Sequence, residues 1–259
     1  MDVREASDRH VRGGDAITTR LGAIALLLAV PVLVVSEILH PSRKDPMDFP
    51  AVFEEYAHSH IWTAVHLGEY SGFLLLLGGL VALYYSVSAR PDVGAGLAPF
   101  GLAAAVTAAA SFTVLQAVDG IALKRAVDAW ASAPAAQKPA AFAAAEAVRW
   151  TEMGMNSLSF FLAGLTLFLF GSAIALGGVY PRRAGMVATV SGAAFIYDGV
   201  GVVAYEGFVP STAKLVGLLL LTVWAFAMAV LMWRNGGRRR IALLAPAPRD
   251  PAQRSVGAR

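Results

Sequence analysis

Apolar residues gather along the chain in six long stretches, residues 21–39, 62–87, 97–118, 153–176, 184–205 and 213–233, with polar segments between them. Each is about 20 residues long, the length a helix needs to cross the ~30 Å hydrocarbon core of a bilayer. The pattern predicts an all-α polytopic membrane protein, a bundle of six transmembrane helices between a tail at 1–20 and a basic tail at 234–259. The first stretch follows Arg12 and Arg20, as in a signal peptide. It ends in Ser36-Glu37-Ile38-Leu39-His40-Pro41 without a small-residue cleavage site, and so reads as a retained helix with Pro31 inside it.

Two of the polar segments are long, 41–61 and 120–149. In the second, helix three is expected to continue through 121–131, break at Ser132-Ala133-Pro134 and give way to a new helix after Pro139, since 140–149 is rich in Ala and Glu. Small residues recur at intervals of four at Ala64, Gly68 and Gly72 and at Ala184, Ala188 and Gly192. Such stripes let helix backbones approach closely in lipid, within the bundle or in a homodimer. Counting Lys and Arg on alternate sides of the six stretches gives fourteen with the two termini and seven on the other side, so both termini are expected in the cytoplasm. Acidic residues run the other way: twelve of eighteen lie in the outer segments or within the stretches.

Composition narrows the class further. The chain is 57% hydrophobic and 15% charged, against roughly 45–50% and about 25% in a soluble domain, which excludes a disordered chain and argues against an ordinary soluble enzyme. The net charge of +3 reflects basic residues placed between apolar spans, an arrangement that sets topology and does not form a nucleic-acid face. With no cysteine, disulfides, thiolate metal sites and iron–sulfur clusters are excluded, and any metal must rely on His, carboxylate or haem.

Ionisable residues inside the stretches carry the candidate chemistry, because a charge in hydrocarbon costs several kcal/mol unless it is paired, hydrated or neutralised. Glu37 and His40 lie three apart, His66 and Glu69 three apart, and Glu152 and Asn156 four apart, so each pair shares a helix face. Asp119 ends helix three and Asp198 lies in helix five. At 1.5 Å per residue, Glu69 is about 10 Å below Trp62, Asn156 about 9 Å below Trp150 and Asp198 about 10 Å below Tyr205, one common depth from the outer surface. If the segment before helix two is continuous with it, Glu55, His58, Trp62, His66 and Glu69 form one stripe. Four of the five histidines, including His60, and Glu54 belong to the same outer region. His and carboxylate pairs on facing helices are ligands for transition metals.

These residues predict an outward-facing His/carboxylate pocket. Glu69, Asp198 and Glu152 are its candidate catalytic acids and bases. His66, Glu69, His40 and Glu37 are candidate ligands for a divalent transition metal or haem, and Asn156, Asp119, Tyr70 and Tyr197 are expected to line it. Aromatics such as Tyr56 and Phe208 frame an opening suited to an amphiphilic small molecule. Three functions fit: a membrane-embedded metal, haem or acid–base enzyme, a small proton-coupled transporter, and a non-catalytic accessory or sensor subunit of a membrane partner. The turn Val179-Tyr180-Pro181-Arg182-Arg183-Ala184-Gly185-Met186 and the helix end Leu83-Tyr84-Tyr85-Ser86-Val87 resemble those of bacterial multipass membrane proteins of unknown function. That resemblance implies a six-helix bundle in a bacterial-type plasma membrane and brings no functional residue with it.

Overall fold

The structure is a computed structural model that describes the backbone of residues 3–41 and 43–244 and the side chains of residues 16–41 and 43–237. In chain order it forms α1 (Val3–Leu39), α2 (Phe49–Ala57), α3 (Trp62–Val87), α4 (Val93–Ala117), α5 (Lys124–Ser132), α6 (Lys138–Leu176), α7 (Arg182–Tyr197), α8 (Ala204–Glu206) and α9 (Thr212–Leu244). A π-helix, Val118–Leu123, joins α4 to α5, and a second, Asp198–Val203, joins α7 to α8. No strand occurs among the described residues. Among the described residues, six stretches are long and apolar enough to cross a membrane: Ala16–Leu39, Trp62–Val87, Val93–Ser132, Lys138–Leu176, Arg182–Glu206 and Thr212–Gly237. The chain is thus built as a membrane protein. Residues beyond Leu244, which hold much of the expected basic tail, lie outside the described residues.

The helices overrun the expected spans at several ends. α1 begins at Val3, so most of the 1–20 segment is helical. The expected helix after Pro139 is continuous with the fourth span, and the break between the third and fourth spans is confined to residues 133–137. At 1.5 Å per residue, the 39 residues of α6 extend about 58 Å, roughly twice a hydrocarbon core, so one end projects past it.

Each spanning helix packs on the next, and α9 returns to α1, closing a ring of six. Glycine sets how closely the neighbours approach. Gly72 of α3 faces Leu33 of α1, and Gly68 faces Ser36. Between α6 and α7 the approach is backbone to backbone. A Cβ at Gly192 would lie 2.5 Å from Gly164 O, and one at Gly171 would lie 2.7 Å from Gly185 O. Of the expected small-residue stripes, Gly72, Ala188 and Gly192 are buried as packing requires. Ala64 is exposed, because the α1 contact on α3 runs through Gly68 and Gly72.

One end of the ring carries a cap. There α2, α5 and the start of α6 bury Phe49, Phe53, Tyr56, Val127 and Ala145 in an apolar cluster of their own. The chain breaks between α2 and α3 at residues 58–61, so the expected stripe from Glu55 to Glu69 is interrupted, and His58 and His60 are exposed. At the other end, Asp92 caps α4 through Ala95 N at 3.1 Å and accepts from Gly178 N at 3.0 Å. Nearby, the Ser86 and Tyr180 hydroxyls are 2.6 Å apart, with Asn235 Nδ2 3.3 Å from Ser86 Oγ. Tyr180→Phe leaves the Asn235–Ser86 bond in place. It is expected to cost about 1 kcal/mol in thermal unfolding of the detergent-solubilised protein, and a loss above about 3 kcal/mol would contradict this pairing.

Candidate functional site

A cavity of about 520 Å³ occupies the ring, its wall contributed by all six spanning helices. Toward the capped end the wall is polar, with Glu37, His40, Glu69, Asp119, Glu152 and Asn156 on it. Deeper it is apolar, formed by residues such as Leu76, Leu80, Phe112, Leu167 and Ala225. Two same-face pairs, Glu37 with His40 and Glu152 with Asn156, therefore do share one cavity, as does Glu69. Val52, Glu55 and Tyr56 of α2 form part of its roof.

Just behind the wall of this polar layer stands His66, 2% exposed. Its Nδ1 is 2.8 Å from Trp62 O, and since a carbonyl only accepts, Nδ1 carries a proton and Nε2 is the ring nitrogen turned to Asp119. That Nε2 lies 3.1 Å from Asp119 Oδ2 without an aligned hydrogen bond, and Asp119 Oδ1 is buried without a partner. The His40 ring stands 5.1 Å from the His66 ring. Ligand atoms of His40, His66 and Asp119 all lie within 4.8 Å of one another. His40 sits beyond the first span, and burial, the largest influence on it, lowers its pKa. Burial likewise pushes the Tyr56 hydroxyl upward.

Asp119 reaches this layer because of the π-helix. The sequence pattern places it at a helix end, whereas the helix continues through it, and the wider turn reorients the side chain toward the interior. The carbonyls of that turn are capped from α3: Trp62 Nε1 donates to Asp119 O at 3.1 Å and Thr63 Oγ1 to Gly120 O at 3.5 Å. A Cβ at Gly120 would meet His66 Cβ at 2.7 Å, so the glycine is what lets the imidazole pack there. The second π-helix repeats the design: Ser157 Oγ donates to Gly199 O at 2.8 Å, and Gly199 abuts the α6 backbone. An Asp-Gly pair inside an apolar stretch, Asp119-Gly120 and Asp198-Gly199, is the sequence signal that marks both.

Glu69 is held by Gln116, whose Nε2 donates to Oε2 at 3.1 Å. Glu152 is held by Arg149, whose Nη1 donates to both carboxylate oxygens at 2.9 and 2.7 Å, while Nη2 donates to Pro46 O at 3.4 Å. The guanidinium also lies 4.8 Å from the Phe208 ring. Both Arg149 and Gln116 escape a sequence reading: Arg149 counts there as one more topology charge, and Gln116 is a lone amide in an apolar run.

Besides His66, three expected residues stand apart from the cavity wall. Asp198 is fully buried, with both carboxylate oxygens lacking a hydrogen-bond partner, but it does not line the cavity. Tyr197, the residue before it, is 63% exposed on the outside of the bundle. Tyr70 turns toward α4, where its hydroxyl accepts from Thr113 Oγ1 at 3.5 Å. Helix rotation is the reason at Tyr197, which lies on the opposite face of α7 from the cavity-lining Phe195. No family model matches the chain, and neither does any curated protein or solved structure.

Proposed function

We propose that this chain is an integral protein of a bacterial-type plasma membrane, both termini cytoplasmic, whose outward-facing cavity takes in an amphiphilic molecule and performs acid–base chemistry on its polar end. The observation that carries the reading is a cavity whose wall is polar beneath the cap and apolar further in. Its volume falls within the ~300–1,000 Å³ usual for small-molecule sites. The excess of Lys and Arg on the side of the termini supports the orientation.

An acyl chain entering from the bilayer leaves one apolar medium for another, so the floor accommodates the chain with little net gain. Selectivity must come from the polar layer. Glu69, with one oxygen held by Gln116, is the group placed to exchange a proton with the bound head group. Glu152, fixed on both oxygens by Arg149, contributes a fixed charge and shape. Asp198 has no part in this step, being off the cavity wall. A proton-coupled carrier draws less support, because the deeper wall is mainly apolar and the Thr166 and Thr222 hydroxyls on it are bonded to carbonyls of their own helices.

The test is mass spectrometry of the protein extracted with its native lipids. A stoichiometric amphiphile is expected, with occupancy reduced at least fivefold by Ala163→Phe, which fills part of the floor. Glu69→Gln protein is expected to retain the amphiphile while its product fails to accumulate in the membrane. An empty wild-type protein, or an occupant indifferent to Ala163→Phe, contradicts the reading.

A further inference from the structure

We infer that His40, His66 and Asp119 form a binding site for one divalent first-row transition ion at the polar mouth of the cavity. Asp119 takes the place that sequence spacing assigns to Glu37 or Glu69. The inference rests on the outward-facing cavity proposed above and adds the cofactor class to it.

His66 Nε2 and Asp119 Oδ2 face each other with no aligned hydrogen bond between them. His66 Nδ1 is committed to Trp62 O at 2.8 Å, the backbone contact that commonly fixes the tautomer of a metal-binding imidazole. Its Nε2 then meets Asp119 Oδ2 at 3.1 Å, neither side offering an aligned proton, and Asp119 Oδ1 is also buried and unpartnered. A nitrogen and a carboxylate oxygen at that distance in a mostly buried place need a cation between them, a proton or a metal ion, and the third donor beside them favours the metal. Bonds of ~2.0–2.1 Å in tetrahedral geometry put neighbouring donor atoms about 3.3 Å apart, so His66 and Asp119 are already spaced for one ion.

His40 supplies the third donor. Its ligand atom lies within 4.8 Å of the other two, so it must close by no more than about 1.5 Å to reach tetrahedral spacing. It can do so because it is the half-buried residue that follows the end of α1, next to Pro41. The His66 ring also packs on Trp62, 4.4 Å away and tilted by 32°. Two imidazoles and one carboxylate, with a fourth side open to the cavity, make the donor set of catalytic zinc sites and of non-haem iron sites. The two rings, 5.1 Å apart and tilted by 57°, converge on a small ion and do not bracket a planar macrocycle. An ion here would polarise an oxygen of the bound head group, beside Glu69 as the proton-exchanging group.

Cobalt(II) serves as the probe. Full-length protein, freed of its affinity tag and stripped with chelator, is titrated with Co²⁺ while the visible d–d band is followed, and Zn²⁺ is then added in competition. One equivalent is expected to bind, with Zn²⁺ displacing it. His40→Ala and Asp119→Asn are each expected to weaken binding at least tenfold, and exposed-residue control Glu54→Gln to leave it unchanged. His40 lies at the cavity mouth and its truncation leaves the helix packing intact, so it decides the matter if Asp119→Asn elutes as a misfolded species. The absence of saturable binding, or binding that His40→Ala leaves unaltered in a protein with native helicity and elution, overturns the site. In that event His66 and Asp119 are an imidazolium–carboxylate pair. Bound lipid reports on the amphiphile reading and cobalt on the metal, so either can fail alone.

Discussion

Arg149→Ala is expected to destabilise the protein by about 3–5 kcal/mol, the range for removing one partner of a buried ion pair. The side chains of Arg149 and Glu152 are each 3% exposed. Truncation strands the Glu152 carboxylate among apolar and acidic neighbours, and it also removes the bond to Pro46 O and the guanidinium contact with the Phe208 ring. The cost thus comes from the charge left behind more than from the bond removed. The double variant Arg149→Met with Glu152→Leu, which removes both charges while keeping volume, is expected to recover most of the loss. Thermal unfolding in detergent, run as a double-mutant cycle, measures both. If Arg149→Ala costs less than about 1 kcal/mol, the pair is solvated and the polar layer of the cavity is wetter than its burial implies.

The second large effect is expected from Gly192→Leu. A Cβ at this position would stand 2.5 Å from Gly164 O and 2.5 Å from Phe168 N. Both obstacles are backbone, which cannot turn aside as a flexible side chain would. Overpacking usually costs about 1–3 kcal/mol, and here relief requires α6 and α7 to separate, which loosens the neighbouring approaches at Gly171 with Gly185 and at Gly199. The loss is therefore expected at or above the top of that range, read as a drop in unfolding temperature and in the monodisperse fraction on size exclusion. Gly154, also on α6, has nothing within 4 Å of its Cβ position, so Gly154→Ala is expected to be neutral or to stabilise by about 0.5–1 kcal/mol. Equal effects at the two glycines would refute the close α6–α7 packing.

The site was partly visible in the chain. Spacings of three and four pair Glu37 with His40 and Glu152 with Asn156, and all four line the cavity wall, because neighbours on one helix face follow from the helical period alone. The same logic failed at Tyr197, which faces outward, and at Ala64, which is exposed. A period says which residues share a face but not which way the face turns. Arg149 shows a different limit: within a sequence it adds to a charge count, and only its burial beside Glu152 makes it a structural partner.

Hydropathy belongs to the chain in one dimension, so the six spans and the gathering of acid and histidine toward one end followed from the residue order. Which of those groups meet was decided by tertiary structure. Each π-turn inserts about one residue, or ~100° of rotation at 3.6 residues per turn, and helix packing then sets the phase of every face. That is how Asp119, by position a helix end, comes to face His66 across 3.1 Å, while Asp198, on an equivalent turn of another helix, is buried away from the cavity.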